Sequence, residues 1–196
     1  MVAAAILAAG ESRRMGSPKA LQLIRGKSFV ERLLIATNVP RIGFRCIVLG
    51  AGAEEIHGKL NPGGAVIVVN EDWRKGQLSS IHAAIRSLPS GETEGLLLCP
   101  VDHPLVSPHL VSQLIEGFDA GGKKIIVPVF HGRRGHPVIF HASLYEELLA
   151  ASHEAGARQV VHAHPDAIAE VAVEEKGVIL NLDDPEALKK VERLKS

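Results

Sequence analysis

The sequence has no excess of charge of either sign. Lys and Arg together number 22, as do Asp and Glu, so the formal net charge at pH 7 is zero. Proteins that bind nucleic acids or membrane surfaces usually carry a basic excess, and we therefore expect no nucleic acid and no membrane among the partners. Any partner must be recognised by a local cluster of residues.

Cysteine is also scarce. Cys46 and Cys99 each lie within an apolar run, without the close paired spacing of a zinc site, a redox motif or a disulfide framework. We expect both to be core residues of a cytoplasmic protein. The apolar N-terminal stretch has no basic region before it and meets Gly10, which makes it too short to span a bilayer. It predicts a buried first strand.

Short apolar runs of β type alternate with helical stretches along the chain. The predicted strands are Val2 to Leu7, Cys46 to Leu49, Val66 to Val69, Leu96 to Cys99, Ile125 to Val129 and Ile168 to Val173. The predicted helices are Ser28 to Asn38, Ser79 to Leu88, Ser107 to Phe118, Ala142 to Ala151, Gly156 to Ala163 and Pro185 to Leu194. Ser107 and Asp184 stand where N-cap residues belong.

This alternation predicts an α/β protein with a mostly parallel sheet. The strands are continuously apolar, as a sheet covered by helices on both faces requires. We therefore expect a three-layer sandwich with a doubly wound, Rossmann-like sheet, formed by one domain over residues 1–196. Ligands of such sheets bind at the carboxyl ends of the strands. Phe130 to Gly135 is predicted to be an exposed, mobile loop.

The segment Leu7 to Leu21 reads Leu-Ala-Ala-Gly-Glu-Ser-Arg-Arg-Met-Gly-Ser-Pro-Lys-Ala-Leu and directly follows the first predicted strand. Its small residues allow close backbone approach to a ligand, while Arg13, Arg14 and Lys19 bring the positive charge that triphosphate chemistry needs. It lacks the Gly-Lys-Ser/Thr ending of a P-loop and the Gly-x-Gly-x-x-Gly pattern of a dinucleotide-binding loop. An ordinary strand-to-helix turn with solvated charges is the alternative.

Asp102 follows a buried strand at the same predicted edge of the sheet. One or two carboxylates, with phosphates and water, suffice for Mg²⁺, so Asp102 is a candidate metal ligand. The alternative is an aspartate that caps a turn. Ser79 and Ser80 follow Gly76 at a predicted helix start, where they either contact a ligand or cap the helix.

The first segment resembles the signature of the MobA-like NTP transferases, Leu-Ala-(Ala/Gly)-Gly-x-Ser-x-Arg-Met-Gly-x-x-Lys. Its Ala-Ala-Gly form is similar to that of the molybdenum cofactor cytidylyltransferase (MocA-like) branch. The resemblance continues at Asn70 to Ser80, Asp102 to Pro104, Gly135 to Phe140, Gly156 to Arg158 and Val178 to Glu186. This chain departs from the family pattern at four positions. His103 stands where the family often has Gln or Met, and Asp184 stands where it often has Thr. Ala157 and Asn181 each stand where the family often has Asp.

The resemblance implies a nucleotide-diphospho-sugar transferase type of fold and a role for each matching residue. The implied nucleotide-binding residues are Leu7, Ala8, Ala9, Gly10, Lys19, Gly76, Ser79 and Ser80. The implied catalytic residues are Arg14, Lys19 and Asp102. Asp102 and Asp183 would hold Mg²⁺, with Mn²⁺ as a possible substitute, and His136 and Arg158 would contact the acceptor.

The implied reaction is transfer of CMP from CTP to molybdopterin with release of pyrophosphate. The product would serve a molybdenum hydroxylase or its chaperone. The alternatives are a guanylyltransferase for the same cofactor and another NTP:phosphate-acceptor nucleotidyltransferase. A nucleotide- or cofactor-binding carrier without catalytic activity stays open as well. A dehydrogenase is disfavoured, because the first loop lacks the dinucleotide glycine spacing.

Overall fold

The computed structural model of the protein describes residues 1–193. The strands, in chain order, are β1 Val2–Ala8, β2 Leu23–Ile24, β3 Lys27–Ser28, β4 Ile42–Leu49, β5 Val66–Val69, β6 Gly95–Pro100, β7 Ile125–Phe130, β8 Arg133–Arg134, β9 Val138–His141 and β10 Ile168–Ala172. The α-helices are α1 Phe29–Ala36, α2 Ala53–Lys59, α3 Gln77–Arg86, α4 Pro108–Asp119, α5 Tyr145–Ala150, α6 Arg158–Ala163 and α7 Pro185–Arg193. Among these helices, none has the length and apolar character needed to cross a bilayer.

The central sheet has the strand order β10-β7-β9-β6-β1-β4-β5, and β8 pairs with β7. The β1, β4, β5 and β6 strands pair in parallel, as do β7 and β10. The β9 strand is antiparallel to both of its neighbours. The mostly parallel sheet is therefore confirmed, and its strand order reverses between β1 and β6. In such folds this reversal is where ligands bind.

The first strand shows why the sheet is covered on both faces. All of its side chains are buried, and successive side chains of a strand point to opposite faces. Val2, Ala4 and Ile6 belong to the hydrophobic cluster beneath α1 and α4. Ala3, Ala5 and Leu7 belong to the cluster beneath α3 and α5. The three-layer arrangement is confirmed.

The two cysteines are confirmed as core residues. Cys46 and Cys99 are both buried and unpaired. Cys46 belongs to the cluster beneath α3 and Cys99 to the cluster beneath α1. Burial raises the pKa of the Cys46 thiol to about 11. Because only a thiolate is an efficient nucleophile or metal ligand, this thiol is chemically inert at neutral pH.

Side-chain caps fix the starts of three helices. Ser28 accepts a hydrogen bond from the backbone N–H of Glu31, whose carboxylate accepts one from the N–H of Ser28, so a capping box opens α1. Ser107 caps α4 as predicted, through the N–H of Leu110. Asp184 caps α7 as predicted, since its Oδ1 accepts from the N–H of Ala187 at 2.8 Å. The predicted end of this helix, Leu194, lies outside the described residues.

Three local predictions differ from the structure in their bounds or in the type of element. The helix expected to begin at Ser79 begins at Gln77, with Gly76 as its N-cap residue, so neither Ser79 nor Ser80 is a cap. The segment expected to be a loop from Phe130 to Gly135 instead forms a β-hairpin, in which Phe130 pairs with Arg133. The helix expected over Ala142 to Ala151 is divided into a 3₁₀ turn over Ala142–Leu144 and the short α5.

A glycine brings the C-terminal segment against the loop after β6. A Cβ atom on Gly177 would overlap the backbone oxygen of Leu105, whereas a Cβ on Gly58, in α2, would meet no atom within 4 Å. We therefore expect Gly177→Ala to lower the free energy of unfolding by about 1–3 kcal/mol through overpacking. Gly58→Ala should raise it by about 0.5–1 kcal/mol, because glycine is costly within a helix.

Urea denaturation of the two variants and the unaltered protein measures this difference. Equal stability changes in the two variants would contradict the close approach of Gly177 to Leu105.

Candidate nucleotide and acceptor site

A cavity of about 240 Å³ opens at the carboxyl ends of β1 and β6, where the strand order reverses. The predicted residues that line it are Leu7, Ala9, Gly10, Lys19, Gly76, Ser80 and Asp102. The loop after β1, the loop after β6 and the turn before α3 therefore meet at this cavity. This is the position that the fold class predicts for a ligand.

Two residues expected at the nucleotide do not line this cavity. The Ala8 side chain belongs to the core beneath α1, on the opposite face of the sheet from Leu7. Ser79 lines a separate groove on the other side of α3, where its hydroxyl accepts from Asn70 Nδ2 at 2.8 Å. Asn70 Nδ2 also donates to Ser80 at 3.1 Å. Ser79 therefore supports the start of α3, and Ser80 faces the cavity.

Three further residues belong to this region. Trp73 and Gln77 line the cavity; the single tryptophan could be expected either at the nucleotide or in the core, whereas nothing in the spacing of the motifs distinguished Gln77. Ser12 lies in the left-handed region with a φ of 55°, and its hydroxyl accepts from the backbone N–H of Lys19 at 2.9 Å. This bond closes the loop after β1 upon itself, so that Lys19 is held at the cavity.

Lys19 and Arg14 form ion pairs with Asp183, from the distant end of the chain. Lys19 Nζ contacts Asp183 Oδ1, and Arg14 Nη2 contacts Oδ2 at 2.8 Å. Burial by itself would raise the pKa of Asp183, but Lys19 and Arg14 together hold that pKa below its ordinary value. The carboxylate is therefore ionised at neutral pH. Lys19 is largely buried and Arg14 is exposed, and each contacts a different oxygen of Asp183.

The two oxygens of Asp102 have different surroundings. Oδ2 accepts a hydrogen bond from Asn181 Nδ2 at 3.0 Å. Oδ1 is buried and accepts no hydrogen bond within the described residues; His103 Nε2 lies 3.9 Å from it. The backbone oxygen of Asp102 accepts from the N–H of Leu182 at 2.8 Å. That bond brings the neighbouring Asp183 to the same end of the sheet.

Asp102 has an unpartnered carboxylate oxygen that fits a divalent cation arriving with a phosphate ligand, whereas both oxygens of Asp183 are paired with Lys19 and Arg14. In residues 1–193 no group of three or more His, Cys, Asp or Glu side chains is arranged to hold a metal alone. Mg²⁺ often takes only one or two carboxylates and completes its coordination with phosphate oxygens and water. A buried oxygen without a partner, such as Asp102 Oδ1, is costly unless a ligand satisfies it.

A second cavity of about 580 Å³ adjoins the first, and both are lined by Leu7, Gln77 and Pro100. His136 and Arg158, the two residues predicted to contact the acceptor, both line the second cavity. Its walls also include the apolar side chains of Leu98, Val127, Val138 and Phe140. The arrangement can therefore accept a ligand with an apolar or ring-shaped body and an anionic group.

The His136 side chain is half-buried at the wall of this second cavity. Its centroid lies 4.8 Å from that of the His103 ring, and its Nδ1 has no hydrogen-bond partner within the described residues. Burial, aided by the charges of His103 and Arg158, lowers the pKa of His136 to about 4. The imidazole is therefore neutral at pH 7.

This burial predicts a loss of stability in acid. The unfolded chain protonates His136 near pH 6.5, whereas the folded protein does so only near the lowered pKa, so unfolding is favoured as the pH falls between these values. Replacing His136 by Gln should reduce the loss of stability between pH 7 and pH 4.5 by about 2 kcal/mol. Urea denaturation at both pH values measures this.

His57→Gln is the matched control, because His57 is exposed. It should keep the pH dependence of the unaltered protein. An unchanged pH dependence in His136→Gln as well would contradict the burial of a neutral imidazole.

Comparison with known proteins gives this arrangement a family context. Residues 4–168 match the family profile described as the MobA-like NTP transferase domain. Nicotine blue oxidoreductase of Paenarthrobacter nicotinovorans is 32% identical over 173 residues, which cover 84% of this chain and 83% of that protein. The probable molybdenum cofactor guanylyltransferase of Natranaerobius thermophilus is 27% identical over 153 residues, 78% of this chain and 67% of that protein.

One further protein matches this chain over only part of its own length, and one solved structure has a similar fold. The match to the bifunctional protein GlmU of Synechococcus sp. (strain CC9605) is 34% identical but spans only 28% of that protein. The solved structure of Rv0371c from Mycobacterium tuberculosis H37Rv, a complex with manganese, superposes with a TM-score of 0.80 at 25% identity over 97% of each chain.

Proposed function

Because this chain belongs to the MobA-like NTP transferase family and is a nucleotidyltransferase, we propose that it transfers CMP from CTP to a molybdopterin-type acceptor. The observation that carries the proposal is the junction of two cavities at Leu7, Gln77 and Pro100. One cavity has Lys19 and Asp102 on its wall, and the other has His136 and Arg158. A donor and an acceptor bound in them would meet at this junction.

The donor would lie in the smaller cavity. The Leu7 to Gly10 segment would contact the base and ribose, together with Gly76 and Ser80. Lys19 and Arg14 would stabilise the negative charge that develops on the departing pyrophosphate. Asp102 and Asp183 would hold Mg²⁺ or Mn²⁺, which neutralises phosphate charge when it is bound.

The acceptor would lie in the larger cavity. Arg158 would bind its phosphate, and the neutral His136 would offer a hydrogen bond without adding charge. An oxygen of that phosphate would attack the α-phosphorus of CTP, forming one P–O bond while the bond to the bridging oxygen breaks and pyrophosphate leaves. The protein's contribution is positioning and charge stabilisation. A molybdenum hydroxylase or its chaperone would receive the product.

The choice of CTP rests on the Ala-Ala-Gly form of the first loop, in which Ala9 lies at the cavity wall. The name of the Natranaerobius relative supports the acceptor but favours GTP as the donor. A guanylyltransferase is therefore the main alternative, followed by transfer to another phosphorylated acceptor. A carrier that binds nucleotide without transfer is the alternative without catalysis.

The Paenarthrobacter relative favours a second candidate function. Its name describes an oxidoreductase, and its similarity extends over most of both chains. An oxidoreductase that uses a nicotinamide cofactor should bind NADH or NADPH, although the loop after β1 lacks the dinucleotide glycine spacing. Quenching of the fluorescence of Trp73, the single tryptophan, detects such binding at the cavity wall. Binding of NADH or NADPH tighter than that of CTP would favour this candidate.

The donor and acceptor are tested together by pyrophosphate release. We expect Mg²⁺-dependent release from CTP in the presence of molybdenum cofactor, and little release from GTP, ATP or UTP or without the acceptor. Coupled detection of pyrophosphate measures it. Selective release from GTP would instead identify the guanylyltransferase, and release from none of the four would contradict transfer to this acceptor.

The roles of Lys19 and Asp102 are tested by substitution. Lys19→Ala and Asp102→Ala should each lower kcat by about 10²–10³-fold, the usual effect of removing a group that stabilises transition-state charge. Arg13→Ala is the matched control, because Arg13, although it adds charge to the same loop, pairs with Glu11 at the surface and does not line the cavity. Its turnover should be near that of the unaltered protein. Full turnover by folded Lys19→Ala or Asp102→Ala would overturn these assignments.

A further inference from the structure

Asn181 lies beside the carboxylate of Asp102 and contacts only one of its two oxygens. Its Nδ2 donates to Oδ2 at 3.0 Å, while Oδ1 stays buried without a hydrogen-bond partner in the described part of the chain. Asn181 itself is exposed, so the core does not require this side chain.

We propose that Asn181 is a positioning residue, which holds Oδ2 of Asp102 so that Oδ1 is directed towards the divalent cation. The inference rests on the metal site of the proposed function and adds a residue to it. An amide can donate to a carboxylate without neutralising it. The amide also brings no positive charge that would compete with the cation for Asp102.

A backbone hydrogen bond fixes the distance between residue 181 and Asp102. The N–H of Leu182 donates to the backbone oxygen of Asp102 at 2.8 Å, so residue 181 is held opposite Asp102. At this place an aspartate would set one carboxylate against another, and an alanine would not reach. Asparagine has both the donor and the length that the bond requires.

Without the amide, the Asp102 carboxylate would be free to turn. The terminal torsion of an aspartate side chain is broad, and no other hydrogen bond within residues 1–193 is present on Oδ1 to fix it. The Asp102 carboxylate would then become ordered only when the cation binds, whereas the amide orders it beforehand. Groups that orient metal ligands in this way typically change metal affinity by about 10–100-fold when they are replaced.

The test is direct binding of Mn²⁺ in the presence of CTP, measured by calorimetry without an acceptor, so that no transfer takes place. Asn181→Ala should raise the Kd of Mn²⁺ by about 10–100-fold. The matched control is Asn38→Ala, because Asn38 is also an exposed asparagine and lies after α1. Its Kd should equal that of the unaltered protein, and the two variants should melt at similar temperatures. An unchanged Kd in Asn181→Ala would overturn the proposal.

A second readout distinguishes positioning from ligation. Water proton relaxation counts the exchanging waters on bound Mn²⁺, and saturated Asn181→Ala should have the same number as the unaltered protein. One additional water would mean that Asn181 is itself a ligand, which overturns the positioning role. Absence of Mn²⁺ binding by the unaltered protein, even with CTP, would overturn both this inference and the proposed metal site. Normal Mn²⁺ binding without pyrophosphate release on addition of acceptor would overturn only the proposed reaction.

Discussion

The pairing of Asp183 with Lys19 and Arg14 joins the loop after β1 to the segment before α7. It is supported by the backbone bond between Leu182 and Asp102, which joins the same C-terminal segment to the loop after β6. These contacts gather groups that are far apart in sequence at the one place where the strand order reverses. The positions of the cavity, of Lys19 and Arg14, and of the two carboxylates all depend on these contacts.

The local charges explain how a protein without net charge can bind a triphosphate. Lys19 and Arg14 supply two positive charges, and both contact the single carboxylate of Asp183. A triphosphate that takes over the two cations would release this carboxylate, and a divalent cation arriving with the triphosphate would in turn occupy it. Exchange of partners in this way keeps the desolvation cost low, since each charge is paired before and after binding.

Much of the fold could be predicted because its signals are local. The buried β1 strand, the Ser107 cap and the Asp184 cap each follow from residue type and spacing. The antiparallel β9 strand was missed because Val138–His141 is short and its pairing with β6 and β7 is a long-range property. The start of α3 was misplaced because Ser79 and Ser80 resemble caps, whereas Gly76 occupies the cap position.

The motifs pointed to Lys19 and Asp102, which line the cavity, and to Asp183, which pairs with Lys19. The side chains of Ala8 and Ser79 lie outside the cavity, because motif membership does not give the direction of a side chain, which depends on the strand pleat and the helix register. Gln77 could not be predicted, because it lines the cavity only through the packing of α3 against the sheet.

The central claim is that Asp102 and Asp183 hold one divalent cation beside the phosphates of a bound nucleotide. Anomalous diffraction from a crystal grown with Mn²⁺ and a non-hydrolysable CTP analogue tests it most directly. The account predicts a single peak at about 2.1–2.2 Å from an oxygen of each carboxylate, close to the metal–oxygen distance of an octahedral Mg²⁺ site, and in contact with the α-phosphate. A peak remote from both carboxylates, with the nucleotide in the cavity, would contradict it.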